Sequence, residues 1–254
     1  MNVIVCVKQI PDPALPGELD ADNTLKRDGK LILDESDSYG VEMALQLVGA
    51  AGDGAVTLVS MAPNDEVSGL RTALAMGAEK AVLVSDPSLA GADALTTAKV
   101  LAGAVGKAGD YDLVIAGTES SDGYTGTVPE QLAEVLGLPS VTFAKTIAVD
   151  GGTVKVDRQT EAGYDEVTCS LPAVVSVTAG VVEPRYPSFK GIMAAKSKPV
   201  ETVTAADLGI ESASWAQSIT NVEDAPEREA GEIIEDDGET FNKIVEFLDN
   251  LKVI

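Results

Sequence analysis

Tyr111-Asp112-Leu113-Val114-Ile115-Ala116 leads directly into Gly117-Thr118-Glu119-Ser120-Ser121-Asp122-Gly123-Tyr124-Thr125-Gly126-Thr127-Val128, and a helical pattern follows from Pro129. The apolar run shows no polar alternation, as expected of a strand covered by helices on both faces. Three similar runs precede it, at Asn2–Val7, Ala55–Ser60 and Lys80–Val84. Helical patterns separate them. Ser36–Ala50 places Val41, Ala44, Leu45 and Val48 on one face. Asn64–Met76 is expected to start with Asn64 as N-cap, with Asp65 and Glu66 in its first turn, and to stop at Gly77. Ala92–Val105 and Pro129–Leu136 complete the set. Strands alternating with helices predict an α/β domain built on a mainly parallel sheet with helices on both faces.

In such a sheet, ligands bind beyond the carboxyl ends of the strands, where the Gly117–Val128 loop lies. Its glycines permit close backbone approach. The hydroxyls of Ser120, Ser121, Thr125 and Thr127 can donate to phosphate, and N–H groups opening the next helix favour an anion. No lysine follows as in a P-loop, and no GxGxxG follows the first strand. The same composition also suits an ordinary connecting loop, and the local sequence leaves both readings open.

Downstream of Gly137 the pattern changes to Thr142–Val149, Thr153–Arg158 and Asp165–Leu171, joined by glycine-bearing turns, which predicts antiparallel hairpins appended to the parallel sheet. Ala173–Val177 is expected to rejoin the main sheet. The organisation expected is therefore an α/β domain over 1–184 with a hairpin insertion at about 140–171, a loop over 185–200, and an extended arm over 201–254 ending in a helix. Regular strands are expected to stop beyond Glu183. The 185–200 segment carries Arg185, Lys190, Lys196 and Lys198 and no acid. With Tyr186, Phe189, Ile192 and Met193 interleaved, it suits a protein-docking loop better than an anion site, although a loop packing its own aromatics has the same composition. Residues 221–239 are dominated by Asp and Glu and read as an extended segment. The closing helix, Thr240–Leu251, carries Phe241, Ile244, Val245 and Leu248 on one face.

The 254 residues are 45% hydrophobic, enough for a sizeable core. The net charge is −23 and there is no histidine. Histidine-based triads, metal sites and proton shuttles are thus excluded, and nucleic-acid binding, which relies on cations to neutralise phosphates, is disfavoured. Cys6 and Cys169, the two cysteines, fall in apolar runs and read as buried thiols of a reducing compartment. There is neither an apolar run of membrane-spanning length nor a signal-peptide pattern, so a cytoplasmic protein is expected. Asp12, Asp20, Asp22 and Asp34 lack EF-hand spacing. Glu161 and Asp165 read as solvated turn acids.

Several longer stretches resemble the electron-transfer flavoprotein beta-subunit family, in the family's order and over nearly the whole chain. They are Val5-Cys6-Val7-Lys8-Gln9-Ile10-Pro11-Asp12, Val41-Glu42-Met43-Ala44-Leu45, Leu70-Arg71-Thr72-Ala73-Leu74-Ala75-Met76-Gly77-Ala78, the Gly117–Thr127 loop, Arg158, Glu161 and Gly163 with Leu171-Pro172-Ala173-Val174-Val175-Ser176, and Glu183-Pro184-Arg185-Tyr186-Pro187-Ser188-Phe189-Lys190-Gly191-Ile192-Met193-Ala194-Ala195-Lys196. Ala162 and Asp165 depart from the pattern, both in a turn. The resemblance implies an adenine-nucleotide α-hydrolase-like, Rossmann-like fold. It also implies a non-enzymatic electron carrier that pairs with an alpha subunit holding most of the FAD site. This chain would bind AMP, contacted by Cys6, Asp34, Met61 and Gly117, Thr118, Glu119, Ser120, Ser121, Asp122, Gly123, Tyr124, Thr125, Gly126, Thr127 and Val128. Tyr124 and Gly126 vary between family members holding AMP and those holding a second FAD, so both nucleotides stay open. Arg185, Tyr186, Phe189, Lys190, Ile192, Met193 and Lys196 would meet flavin dehydrogenases, typically those for acyl-CoA in fatty acid oxidation, with a quinone oxidoreductase downstream. Rival readings are a nucleotide sensor or enzyme of the same fold, and a structural subunit with an empty loop.

Overall fold

The computed structural model describes residues 1–210, 217–223, 226, 231, 233–235 and 238–254. They fall into two units, Met1–Thr220 and Asn221–Ile254. The first is built on a nine-stranded sheet. Its strands are β1 (Val3–Cys6), β4 (Val56–Ala62), β5 (Lys80–Ser85), β6 (Leu113–Gly117), β7 (Ser140–Asp150), β8 (Thr153–Thr160), β9 (Gly163–Ser170), β10 (Ala173–Val177) and β11 (Val200–Val203), while β2 (Gln9–Pro11) and β3 (Leu31–Leu33) form a small antiparallel pair. The spatial order is β11-β5-β4-β1-β6-β10-β7-β8-β9. Pairing is parallel from β11 to β7 and antiparallel through β8 and β9. The predicted return strand Ala173–Val177 lies between β6 and β7 with the predicted bounds.

The unalternated strands are explained by the two layers that cover them. Val3 and Val5 point into a core shared with α1 (Glu35–Ala51) and α2 (Ser68–Met76), where Val41, Ala44, Leu70 and Leu74 are buried. Ile4 and Cys6 point the other way, to α3 (Ala94–Ala108) and α4 (Val128–Leu136), against Leu101, Val105 and Leu132. Burial of such side chains contributes about 1.5–3 kcal/mol each. Gly40 keeps α1 close to the sheet, because a Cβ there would lie 3.3 Å from Ile115.

Three expectations are corrected. The second helix starts at Ser68, not Asn64. The Asn64 carboxamide accepts from the Glu66 N–H (3.2 Å) in a turn before the helix, and the Glu66 carboxylate accepts from Val67 and Ser68 (2.9 and 2.7 Å). Gln9, from a distant strand, accepts from Gly69 (2.8 Å) and Leu70 (3.4 Å). The donors left open by a helix start are thus met by Glu66 just before the helix and by the distant Gln9. Strands also do not stop at Glu183, because Val200–Val203 pairs in parallel with β5 at the sheet edge. Finally, the 185–200 segment is partly helical, with α5 over Phe189–Ala195, capped by Ser188, whose hydroxyl accepts from Gly191 N–H at 3.0 Å.

In the second unit, α6 (Thr240–Asn250) exposes Phe241, Ile244, Val245 and Phe247. The extended segment expected over 221–239 falls partly on residues outside those described, among them Asp224, Glu227, Arg228, Glu229, Glu232, Asp236 and Asp237. Among the described residues no helix is long and apolar enough to cross a membrane.

Candidate functional site

From β1 the chain moves outward through β4 and β5, then returns to the other side of β1 as β6. Neighbouring strands therefore send their carboxyl-end loops apart at this point, opening the crevice where α/β sheets bind ligands. A cavity of about 620 Å³ lies there. It is lined by Cys6–Gln9 after β1, Met61–Asn64 around the end of β4, and Ala116–Ser120, Asp122 and Gly123 after β6.

Of the residues selected from the sequence, Cys6, Met61, Gly117, Thr118, Glu119, Ser120, Asp122, Gly123, Thr125, Gly126 and Val128 line this one cavity. Asp34 and Ser121 stand behind its wall. The fully buried Asp34 carboxylate caps α1 by accepting from Ser36 N–H (3.0 Å), and it also accepts from the Ser121 N–H (2.7 Å) and hydroxyl (3.0 Å). One side chain thus fixes both the start of α1 and the middle of the glycine-rich loop. Tyr124 and Thr127 do not line the cavity. Tyr124 is exposed and adopts φ 48°, a left-handed conformation that side chains larger than glycine seldom take.

Sequence reasoning missed Lys8, Gln9, Arg27 and Asp37, all of which line the cavity. Lys8 Nζ donates to Asp122 Oδ1 (2.6 Å) and Ser120 Oγ (3.2 Å), and Arg27 donates to the other oxygen of Asp122. Burial opposes the charge on Asp122, but Lys8 and Arg27 together hold its pKa below the ordinary carboxylate range. Lys8 and Gln9 stood in a quoted motif without a role. Arg27 gave no signal at all, because it reaches the loop from 95 residues away.

Asp37 is buried, and its Oδ2 accepts from the Lys8 N–H at 2.5 Å. Burial, and then the charge of Asp34, push its pKa up to about 8. At neutral pH it is therefore mostly the neutral acid. Burial and the same acid push the Cys6 thiol up to about 12, so Cys6 supplies no thiolate. Chemically the cavity offers the cations of Lys8 and Arg27, both paired with Asp122, together with the further lining acids Asp20, Asp28, Asp37 and Glu119, the hydroxyls of the glycine-rich loop, and apolar side chains such as Leu31, Leu89 and Leu101. That set suits a small molecule with both a ring and polar groups. Among the described residues no cluster of three metal-ligating acids or cysteines occurs.

The residues selected for docking share a second location, the 185–196 segment. Tyr186 and Phe189 are 94% and 80% exposed, and Ile192, Met193, Lys190 and Lys196 are also exposed. Arg185 differs, since its guanidinium grips Glu42 through Nε (2.6 Å) and Nη2 (2.9 Å). Lys198, part of the same basic island, donates to the carbonyls of Leu74 (2.9 Å) and Ala78 (2.6 Å) at the end of α2, and burial lowers its pKa.

Comparison with known proteins matches residues 22–208 to a family model described as an electron transfer flavoprotein domain. The chain is 40% identical to the electron transfer flavoprotein subunit beta of Mycobacterium tuberculosis (strain ATCC 25618 / H37Rv), over 100% of this chain and 99% of the relative. It is 41% identical to the subunit of that name from Mycobacterium leprae, with the same coverage. The Megasphaera elsdenii subunit is 34% identical over the full length of both chains. Together with the parallel sheet and its crevice, these matches show that the chain belongs to the electron transfer flavoprotein beta-subunit family.

Proposed function

We propose that this chain is the nucleotide-holding subunit of a heterodimeric electron-transfer flavoprotein in the cytoplasm. In this reading the cavity holds AMP as a structural ligand, a partner alpha subunit carries FAD, and the assembled carrier takes electrons from flavin dehydrogenases, typically acyl-CoA dehydrogenases of fatty acid oxidation. It passes them to an acceptor such as a quinone oxidoreductase. The observation that carries the reading is the convergence of three strand-end loops on one cavity, where the glycine-rich loop faces Lys8 and Arg27. Its volume of about 620 Å³ lies within the range of small-molecule sites. Acid release of the ligand from the purified heterodimer, followed by mass identification, is expected to give AMP at one per dimer beside a single FAD. Two FAD and no AMP would replace AMP with a second flavin. A protein with no adenine nucleotide would defeat the reading, and steady turnover of the nucleotide would favour an enzyme or sensor.

Two further outcomes follow from the same reading. Phe189 is a large exposed aromatic beside Lys190, and such anchors dominate transient interfaces. Phe189→Ala is expected to weaken docking of a dehydrogenase by about 2 kcal/mol, near 30-fold in the KM for the flavoprotein. Flavin and nucleotide content should not change. An unchanged KM with a lower melting temperature would show that Phe189 serves only its own loop. In the second unit, α6 presents Phe241, Ile244, Val245 and Phe247 to solvent, an apolar set suited to a partner chain. Deleting residues 222–254 should therefore weaken assembly with the alpha subunit and leave AMP bound. Unchanged assembly by analytical ultracentrifugation would argue against it.

A further inference from the structure

Two sequence motifs each contain a charged residue that the nucleotide cavity does not use. Glu42 lies within Val41–Leu45 on α1, and Arg71 lies within Leu70–Ala78 on α2. Both reach the segment that bears the exposed aromatics. The Glu42 carboxylate is 4% exposed and is met by Arg185 through its backbone N–H (3.3 Å), Nε and Nη2, and by Gln46 Nε2 (2.8 Å). Burial works against its charge, but the Arg185 and Gln46 bonds hold its pKa below the ordinary range. At the other end, Arg71 Nη1 donates to the carbonyls of Ala195 and Lys198, both at 2.7 Å. Between these points α5 rests directly on α2, where a Cβ on Gly191 would fall 2.5 Å from the Ala75 carbonyl oxygen.

We infer that Glu42 and Arg71 are positioning residues that clamp the two ends of the α5 segment. Arg185 is then a strut of this clamp and not one of the cations offered to a dehydrogenase. The inference rests on the docking role proposed above and reassigns charge within it. A bidentate guanidinium–carboxylate pair fixes direction as well as distance, which a lysine ammonium cannot reproduce. The segment is thereby held to α1 at Arg185, before α5, and to α2 at Ala195 and Lys198, at its end, and both helices are themselves packed on the sheet. Phe189, Ile192 and Met193 are presented at a fixed angle, so less ordering is left to the encounter with a partner. Lys190 and Lys196 are exposed in the same segment and form no ion pair among the described residues, which leaves them to attract an acidic surface.

The test uses the whole heterodimer with an acyl-CoA dehydrogenase as electron donor, reading the KM for flavoprotein, kcat at saturation and the salt dependence of KM. Arg185→Lys keeps the charge but loses the bidentate grip. The clamp predicts that it raises KM about as much as Arg185→Ala does, at least fivefold. It also predicts faster hydrogen exchange over 186–193, an unaltered salt slope and kcat within twofold. Glu42→Ala should match Arg185→Ala, and the double variant should be no worse than either. Lys190→Ala and Lys196→Ala should instead flatten the salt slope. The inference is overturned if Arg185→Lys behaves as the parent while Arg185→Ala flattens the salt slope, the result expected of a docking cation. If Glu42→Ala does not assemble, the two Arg185 variants still decide the matter from the solvent side. Phe189→Ala separates the two levels: a raised KM there with an unmoved Arg185→Lys removes the clamp alone, and no change in either removes the docking role with it.

Discussion

Asp37→Asn should remove the contribution to the pH dependence of stability that Asp37 is expected to make between about pH 4 and pH 8. In the fold, burial first and the neighbouring Asp34 second raise the Asp37 pKa from 3.8 to about 8. The sign follows from proton counting. Below about 4 the carboxyl is neutral in both states and contributes no slope. As the pH rises above that, the unfolded chain ionises Asp37 while the folded chain keeps it protonated, so stability falls until about 8 and is then level. At about 1.4 kcal/mol per pH unit, the interval from 3.8 to about 8 limits the loss to about 6 kcal/mol. Asparagine cannot ionise, so the variant should gain on the parent steadily across that window. A constant offset against the variant is also expected, because its NH2 group replaces an acceptor near the Lys8 and Gly117 N–H groups. The measurement is urea unfolding of both chains at pH 5, 6, 7, 8 and 9. Parallel curves would mean that Asp37 does not titrate in this interval.

The pattern of legibility has a physical basis. Strand and helix order could be read because the parallel strands are buried on both faces, so their apolar runs are intrinsic to the sequence. Ala173–Val177 is such a case, and all five of its residues are buried. The short β11 could not be read in this way, since Val200-Glu201-Thr202-Val203 lies at an edge with two exposed side chains and takes its definition from β5. The start of α2 was misplaced because Gln9, 60 residues earlier, supplies caps that local rules assign to Asn64. The site shows the same division. The Gly117–Val128 loop carries its chemistry in its own composition, and its position after a strand gave its place. Lys8, Arg27 and Asp37 belong to it only through the fold. Arg185 illustrates the converse, because a cation in a basic island reads as available until the buried Glu42 facing it is seen.

Asp34→Ala should both destabilise the chain and, if the cavity holds the adenine nucleotide proposed for it, loosen that ligand. The Asp34 carboxylate accepts one hydrogen bond at the start of α1 and two from Ser121, and it is fully buried. Loss of a helix cap costs about 1 kcal/mol. Leaving the half-buried Ser121 N–H and hydroxyl without their acceptor adds roughly 1 kcal/mol, the low end of such costs, so a total near 2 kcal/mol is expected. The second cost falls on the loop that lines the cavity, and the retained adenine nucleotide should therefore drop more than after a core truncation of equal stability cost, such as Leu132→Ala on α4. Asp34→Asn should recover the cap but not both Ser121 contacts, placing it between the two. Removing Asp34 also removes the charge that helps hold the Asp37 proton. The pH window of the first prediction should then close at its upper end, and the two substitutions should be non-additive in unfolding free energy above pH 7. Additive costs, or full nucleotide retention in Asp34→Ala, would show that the buried acid caps its helix without bracing the loop.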